Sequence, residues 1–187
     1  MSIGYGDLRK GLAIELDGEP YGVVEYERSK MQKRAPVMRI RFKSLRTGRI
    51  VDRSFNGYDV KLIPAPVERR SAQFIYKDDD HYYFMDTKSY DQLPLSHNQL
   101  KDSIPYLIEQ TTVDLIFYRD NAISIELPTT VELKVSETGP GHKGDTAQGG
   151  TKPATLETGL TLQIPLFVNT GEIVRVDTRS GEYIARV

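Results

Sequence analysis

The chain contains no cysteine among its 187 residues, which excludes disulfide staples, thiolate-bound zinc and cysteine nucleophiles. Histidine is almost as scarce: His81, His97 and His142 are the only three and stand far apart in the sequence, with no metal-ligand spacing between them. No apolar run approaches the roughly eighteen residues of a membrane-spanning helix. The opening Met1-Ser2-Ile3-Gly4-Tyr5-Gly6-Asp7 lacks the basic and apolar stretches of a secretion signal. A cytoplasmic location without membrane contact is therefore expected. Hydrophobic residues supply 39% and charged residues 27%, the balance of a folded globular protein rather than a disordered tail. The length admits one large domain or two to three small ones.

Catalytic signatures are missing too. Ser96 and His97 are sequence neighbours rather than members of a triad pattern, and no Gly-x-Ser-x-Gly elbow occurs. Asp78-Asp79-Asp80 lacks EF-hand spacing and reads as a solvated hairpin tip rather than a hard-metal site. Gly139 and Gly144, followed by Thr146, imitate a phosphate-binding loop, but Asp145 stands where that loop needs lysine and would repel a nucleotide. In such a segment Gly144, Asp145 and Thr146 can instead meet base edges or sugar hydroxyls of RNA; a plain structural loop is the alternative. No enzymatic activity, cofactor or metal is expected.

What the chain does have is misplaced charge. Its net −1 conceals +5 over residues 1–64, −5 over 65–127 and −1 over 128–187, cut at the proline-rich joints Ile63-Pro64-Ala65-Pro66 and Leu127-Pro128. From Arg28 to Arg53 there are ten basic residues, among them Arg28, Lys30, Lys33, Arg34, Arg39 and Arg41, and a single acid, Asp52. Such a stretch attracts phosphates, and the acidic middle part would orient the molecule on a polyanion.

Periodicity of two dominates. Leu12 to Leu16, a turn at Asp17-Gly18 and Tyr21 to Val24 read as a hairpin. Met38, Ile40 and Phe42 alternate with Arg39, Arg41 and Lys43, so one strand offers a core face and a cationic face. The loop from Ser29 to Pro36 lies between extended runs and places Lys33 near its apex. Beyond it, Phe74-Ile75-Tyr76 and His81 to Asp86 flank an acidic turn. Leu100, Ile104, Leu107 and Ile108 recur at helical spacing, with Asp102 or Ser103 as a cap before Pro105. Val113 to Leu127 forms a hairpin turning at Asp120-Asn121. The last part reads as strands at Val131 to Val135, Leu160 to Ile164, Ile173 to Val176 and Tyr183 to Val187, with a glycine-rich loop between the first two. The expected fold is all-β: a small SH3-like barrel followed by two five-stranded barrels of OB type.

Particular motifs sharpen this reading: Leu16-Asp17-Gly18-Glu19-Pro20-Tyr21, Leu45-Arg46-Thr47-Gly48, Phe84-Met85-Asp86, Gly144-Asp145-Thr146-Ala147, Lys152-Pro153-Ala154-Thr155-Leu156 and the terminal Val176 to Tyr183 with Arg186-Val187. With these the chain resembles bacterial elongation factor P over essentially its whole length. The resemblance implies an SH3-like domain at 1–64 and OB domains at 65–127 and 128–187, arranged as an L that approximates tRNA. It implies a monomer bound to the bacterial ribosome beside P-site peptidyl-tRNA, relieving stalls at consecutive prolines. Lys33 matches the tip residue that reaches the tRNA acceptor end, with Arg28, Lys30, Arg34, Arg39 and Arg41 as tRNA or rRNA contacts. Gly144, Asp145 and Thr146 match the element that approaches the mRNA codon in the exit site. Arg179, Tyr183 and Arg186 belong to the matching terminus, where Tyr183 serves either RNA contact or barrel packing. The tip departs from the family's common Pro-Gly-Lys-Gly turn, reading Met31-Gln32-Lys33-Arg34 without glycine. Because modifying enzymes recognise the loop, this departure leaves two alternatives, a bare Lys33 or one that carries a group added by a tip-modifying enzyme, with Arg34 as the alternative tip contact. A general RNA-binding module on the same barrels is the competing reading.

Overall fold

Alternating apolar and polar residues produce extended backbone almost everywhere in the computed structural model, which describes residues 2–29, 37–56, 61–140 and 150–187. The strands form three five-stranded antiparallel sheets. The first contains β1 (Ala13–Leu16), β2 (Glu19–Ser29), β3 (Val37–Ser44), β4 (Ile50–Asn56) and β5 (Ile63–Pro64), in the order β4-β3-β2-β1-β5. Asp17 and Gly18 alone join β1 to β2, with φ of 52° and 80°. Both central positions of a type I′ turn need positive φ, which glycine adopts freely and aspartate better than most residues. Along β3 the expected alternation holds: Met38, Ile40 and Phe42 are buried, while Arg39, Arg41 and Lys43 face solvent. The three apolar side chains join Leu8, Ile14, Val23 and Leu62 in the first core.

The second sheet contains β6 (Val67–Lys77), β7 (His81–Asp86), β8 (Gln92–Ser96), β9 (Thr112–Tyr118) and β10 (Asn121–Glu126), in the order β10-β9-β6-β7-β8. Its core centres on Phe74, Phe84, Leu95, Leu100 and Leu115. The helical spacing after Ser96 becomes a single turn, α1 (His97–Leu100), and a 3₁₀ turn at Ile104–Tyr106 preceded by Ser103. The backbone N–H of Ser96 donates to the Gln99 side chain at 2.9 Å, satisfying one orphan donor of that short helix. Asp78 shapes the acidic tip. Its carboxylate accepts from the N–H of Asp80 and His81 at 2.9 and 2.7 Å and from the Tyr83 hydroxyl at 2.8 Å. Those donors hold its pKa below the ordinary aspartate value, the His81 N–H first among them.

The third sheet contains β11 (Thr130–Thr138), β12 (Thr151–Leu156), β13 (Thr161–Pro165), β14 (Ile173–Asp177) and β15 (Tyr183–Arg186), in the order β13-β12-β11-β14-β15. Leu133, Val135, Leu156, Ile164, Val174 and Val176 fill its core, and Tyr106 and Ile108 from the second unit pack against it. Register shifts occur in every sheet, as between Val23 and Glu25, Phe74 and Tyr76, and Val135 and Glu137. Such bulges add the bend that curls a sheet around its own core. Among the described residues no helix is long and apolar enough to cross a membrane.

The structure corrects the sequence reading in two places. The β9–β10 turn is made by Arg119 and Asp120, with φ of 49° and 65°, rather than by Asp120-Asn121. Asn121 instead enters the strand opposite Tyr118, and its side-chain amide donates to Arg119 O at 3.0 Å, which steadies the strained pair. Two further strands contain proline and escaped the periodicity. Pro94 is tolerated because β8 is an edge strand. Pro153 is tolerated because the β11–β12 pairing ends at Thr138 and Ala154, so no β11 carbonyl needs its missing N–H.

Candidate nucleic-acid interface

The outer face of β2, β3 and β4 is built by register. Glu25 and Asp52 flank Arg41, while Glu27 and Ser54 flank Arg39. These residues line an open groove of ≈ 450 Å³. The Arg41 guanidinium donates to both Asp52 carboxylate oxygens at 2.9 and 3.3 Å and lies 3.6 Å from Glu25. The hydrogen bond to Asp52 raises the pKa of Arg41 and lowers that of Asp52. Arg46 pairs with Glu19 at 2.8 Å and Arg53 with Asp17 at 2.9 Å. Among the described residues Arg39, Lys43 and Arg49 form no ion pair. At the outer face itself Arg39 and Lys43 are thus the exposed cations without a carboxylate partner, while Arg41 is already paired and Arg49 stands across from Ser44 at the opposite parity. Such exposed pairs exchange readily in water.

The sequence count of one acid against ten bases overlooked these partners because Asp17, Glu19, Glu25 and Glu27 precede the basic run and meet it only across strands. A strand-by-strand register is the signal that finds Glu25 and Glu27, whereas Asp17 reaches Arg53 only through the fold. Lys30, Lys33 and Arg34 lie outside the described residues; the β2–β3 pairing leading to them ends at Ser29 and Val37, with Arg28 opposite Met38 one step earlier.

In the third unit Gly144, Asp145 and Thr146 also lie outside the described residues. Lys152, which no charge count marks, is buried near them in chain order, and its ammonium donates to Gly139 O at 2.9 Å. It occupies the inward parity of β12 with Ala154 and Leu156. The terminal motif is bound within the molecule. Arg179 grips Asp177 through its guanidinium at 2.7 and 3.2 Å and through its N–H at 2.8 Å, and Gly181, with φ of 74°, closes the turn. Tyr183 packs on the third core, and Arg186 donates to Glu172 at 3.1 Å while lying over Phe167. The Arg179 side chain and N–H hold the Asp177 carboxyl well below the usual range. A depressed folded-state pKa adds stability above the unfolded value of about 3.9 and loses it as pH falls through and below that value. Asp177→Asn should accordingly lower the urea midpoint at pH 7, and its gap from the parent should narrow below about pH 4. A gap unchanged between neutral and acid pH would place the effect elsewhere.

Three sequence models match this architecture in chain order: the elongation factor P KOW-like domain at residues 5–60, the elongation factor P OB domain at 67–125 and the elongation factor P C-terminal domain at 131–186. The chain is 50% identical to elongation factor P of Moorella thermoacetica over 184 residues, 98% of this chain and 99% of that one. It is 48% identical to elongation factor P of Carboxydothermus hydrogenoformans over 185 residues, 99% and 100% of the two chains. The chain belongs to the elongation factor P family. Among solved structures it is similar to a translation initiation factor 5A from Methanococcus jannaschii, with a TM-score of 0.50 and 19% identity over 68% of this chain and 92% of that one. That likeness concerns the fold. The KOW-like match covers the unit read as SH3-like and the OB match covers the second sheet, so the all-β expectation is borne out. The outer face of the first sheet, where Arg39, Arg41 and Lys43 stand among Glu25, Glu27 and Asp52, lies within the residues that match the KOW-like domain of this family.

Proposed function

We propose that this chain is a translation elongation factor that binds the bacterial ribosome beside P-site peptidyl-tRNA and speeds peptide-bond formation at consecutive prolines. The observation that carries the reading is membership of the elongation factor P family over nearly the full length. Proline is a slow acceptor because its ring fixes φ and constrains the approach of its nitrogen. A factor that orients the tRNA acceptor end lowers the entropic part of the barrier without adding a nucleophile or base. The peptidyl-transfer chemistry stays with the ribosome.

In this reading the units 1–64, 65–127 and 128–187 form an L-shaped, tRNA-like body acting as a cytoplasmic monomer. Lys33 is the tip, bare or carrying a group added by a modifying enzyme. Arg28, Lys30, Arg34 and Arg39 hold tRNA or rRNA phosphates, joined by Arg41 once Asp52 releases it. Gly144, Asp145 and Thr146 approach the mRNA codon in the exit site. Arg179, Tyr183 and Arg186 shape the third unit that carries that loop.

The test is the translation time of a Pro-Pro-Pro reporter on reconstituted bacterial ribosomes with and without recombinant protein. Acceleration confined to the proline run is expected. Equal binding to arbitrary RNA with no acceleration, from recombinant and native-host protein alike, would favour a general RNA-binding module.

A further inference from the structure

The first and second sheets meet at a polar lock set on a small apolar cluster. Glu15, on β1, accepts a hydrogen bond from the Tyr118 hydroxyl at 2.8 Å, and the Arg119 guanidinium donates to its carboxylate at 3.1 Å. The Tyr118 hydroxyl also lies 3.2 Å from Gly18 O, in the turn from which β2 departs. Beneath it the buried Ile116, Tyr118 and Ile123 pack with Leu45, Ala65 and Val67. Ser124 Oγ donates to Leu45 O at 2.5 Å. Leu45 in turn lies so close over Gly22 that a Cβ there would sit 3.3 Å from Leu45 Cδ2.

Packing between the sheets is not continuous. A cleft of ≈ 290 Å³, lined by residues such as Val23, Thr47, Lys101, Asp102 and Ser124, opens beside this cluster. The angle between the sheets therefore depends strongly on the lock. We propose that Glu15, Tyr118 and Arg119 are positioning residues for the tip: they clamp the base of the β2–β3 hairpin onto the second domain and so fix the direction in which β2 and β3 run out to Ser29 and Val37. The inference rests on the tip reading above. From Glu19 to Ser29 the hairpin extends about 30 Å at the rise of a strand, so a tilt of about 4° at its base displaces its end by roughly 2 Å. Misplacement of about 1 Å can slow a positioned reaction by as much as about a hundredfold.

The test uses the full chain and its lack of cysteine. Ser54→Cys lies on an exposed position of β4 and Lys88→Cys in the exposed turn between β7 and β8, and the two can carry a pair of spin labels without competing thiols. A narrow distance distribution is expected in the labelled parent. Glu15→Ala and Tyr118→Phe should broaden or shift it, and Glu15→Gln, which keeps an acceptor oxygen, should restore part of it. Tyr118→Phe retains the buried ring, so it probes the lock with the apolar cluster intact. On Pro-Pro-Pro reporters Glu15→Ala and Tyr118→Phe should lower the maximal acceleration by about threefold or more, with the half-saturating concentration changed less than about twofold. An unchanged distance distribution in both variants would overturn the proposal, as would a loss confined to half-saturation. If the unlabelled parent fails to accelerate the reporter both as recombinant and as native-host protein, the functional reading fails, and the distance measurement alone decides whether the lock sets the sheet angle.

Discussion

Lys33→Ala should slow Pro-Pro-Pro synthesis by about tenfold or more relative to the parent while shifting the half-saturating factor concentration less than about twofold. The division follows from where binding and alignment reside. In the proposed function binding energy would be spread over many phosphate contacts, each weak and sensitive to salt; Arg39, Lys43 and Arg49 stand free of ion pairs among the described residues. The proposed tip side chain would act instead on the geometry of the reacting ends, and about 1.4 kcal/mol of lost transition-state alignment is enough for a tenfold effect. Arg34→Ala should shift binding more than maximal rate, since a guanidinium in that position serves as a phosphate fork. Equal losses in rate and binding for Lys33→Ala would contradict the tip role. A larger rate loss for Arg34→Ala than for Lys33→Ala would move the tip by one residue.

The largest stability effect is expected at the opposite face of the same hairpin. Phe42 is fully buried in a first core that, among the described residues, holds seven buried hydrophobic side chains. Truncation to alanine removes its transfer energy and leaves a cavity, a cost of about 3–5 kcal/mol. Domains are stable by only about 5–15 kcal/mol, so Phe42→Ala should melt the first sheet well before the others. Urea titration should then show a separate early transition, and ribosome binding should fall because Arg39 and Lys43 lose their common strand. A single transition at the parent's midpoint would mean that the core repacks around the missing ring.

Legibility divides along physical lines. The β3 alternation was readable because burial and period two are the same signal at Met38, Ile40 and Phe42. The Asp17-Gly18 turn was readable because a positive φ at each central position selects those residue types. The turn one residue early at Arg119-Asp120 was hidden, since neither residue is glycine and the asparagine that usually marks a turn supports it from the strand. The partners of Arg41 and Arg53 were hidden because charge was counted along the chain, whereas register sets Glu25 and Asp52 beside Arg41 and folding brings Asp17 to Arg53. The contact of Glu15 with Tyr118, 103 residues apart, follows from docking of two units and has no local trace. Of the proposed interface, the cations of β3 and the terminal turn were visible in sequence; which of them are occupied by carboxylates was not.

Each sheet is assembled from five consecutive strands, and none borrows a strand from another. Synthesis therefore delivers the parts of one sheet before it begins the next. Once Pro64 has cleared the exit tunnel, β1 has both of its neighbours, β2 and β5, and the first core can close while the second is still being made. The β2–β3 hairpin then stands on a closed first sheet before Tyr118 and Arg119 are made to clamp its base. A slow codon between residues 64 and 67 would lengthen that interval without leaving any unpaired strand exposed.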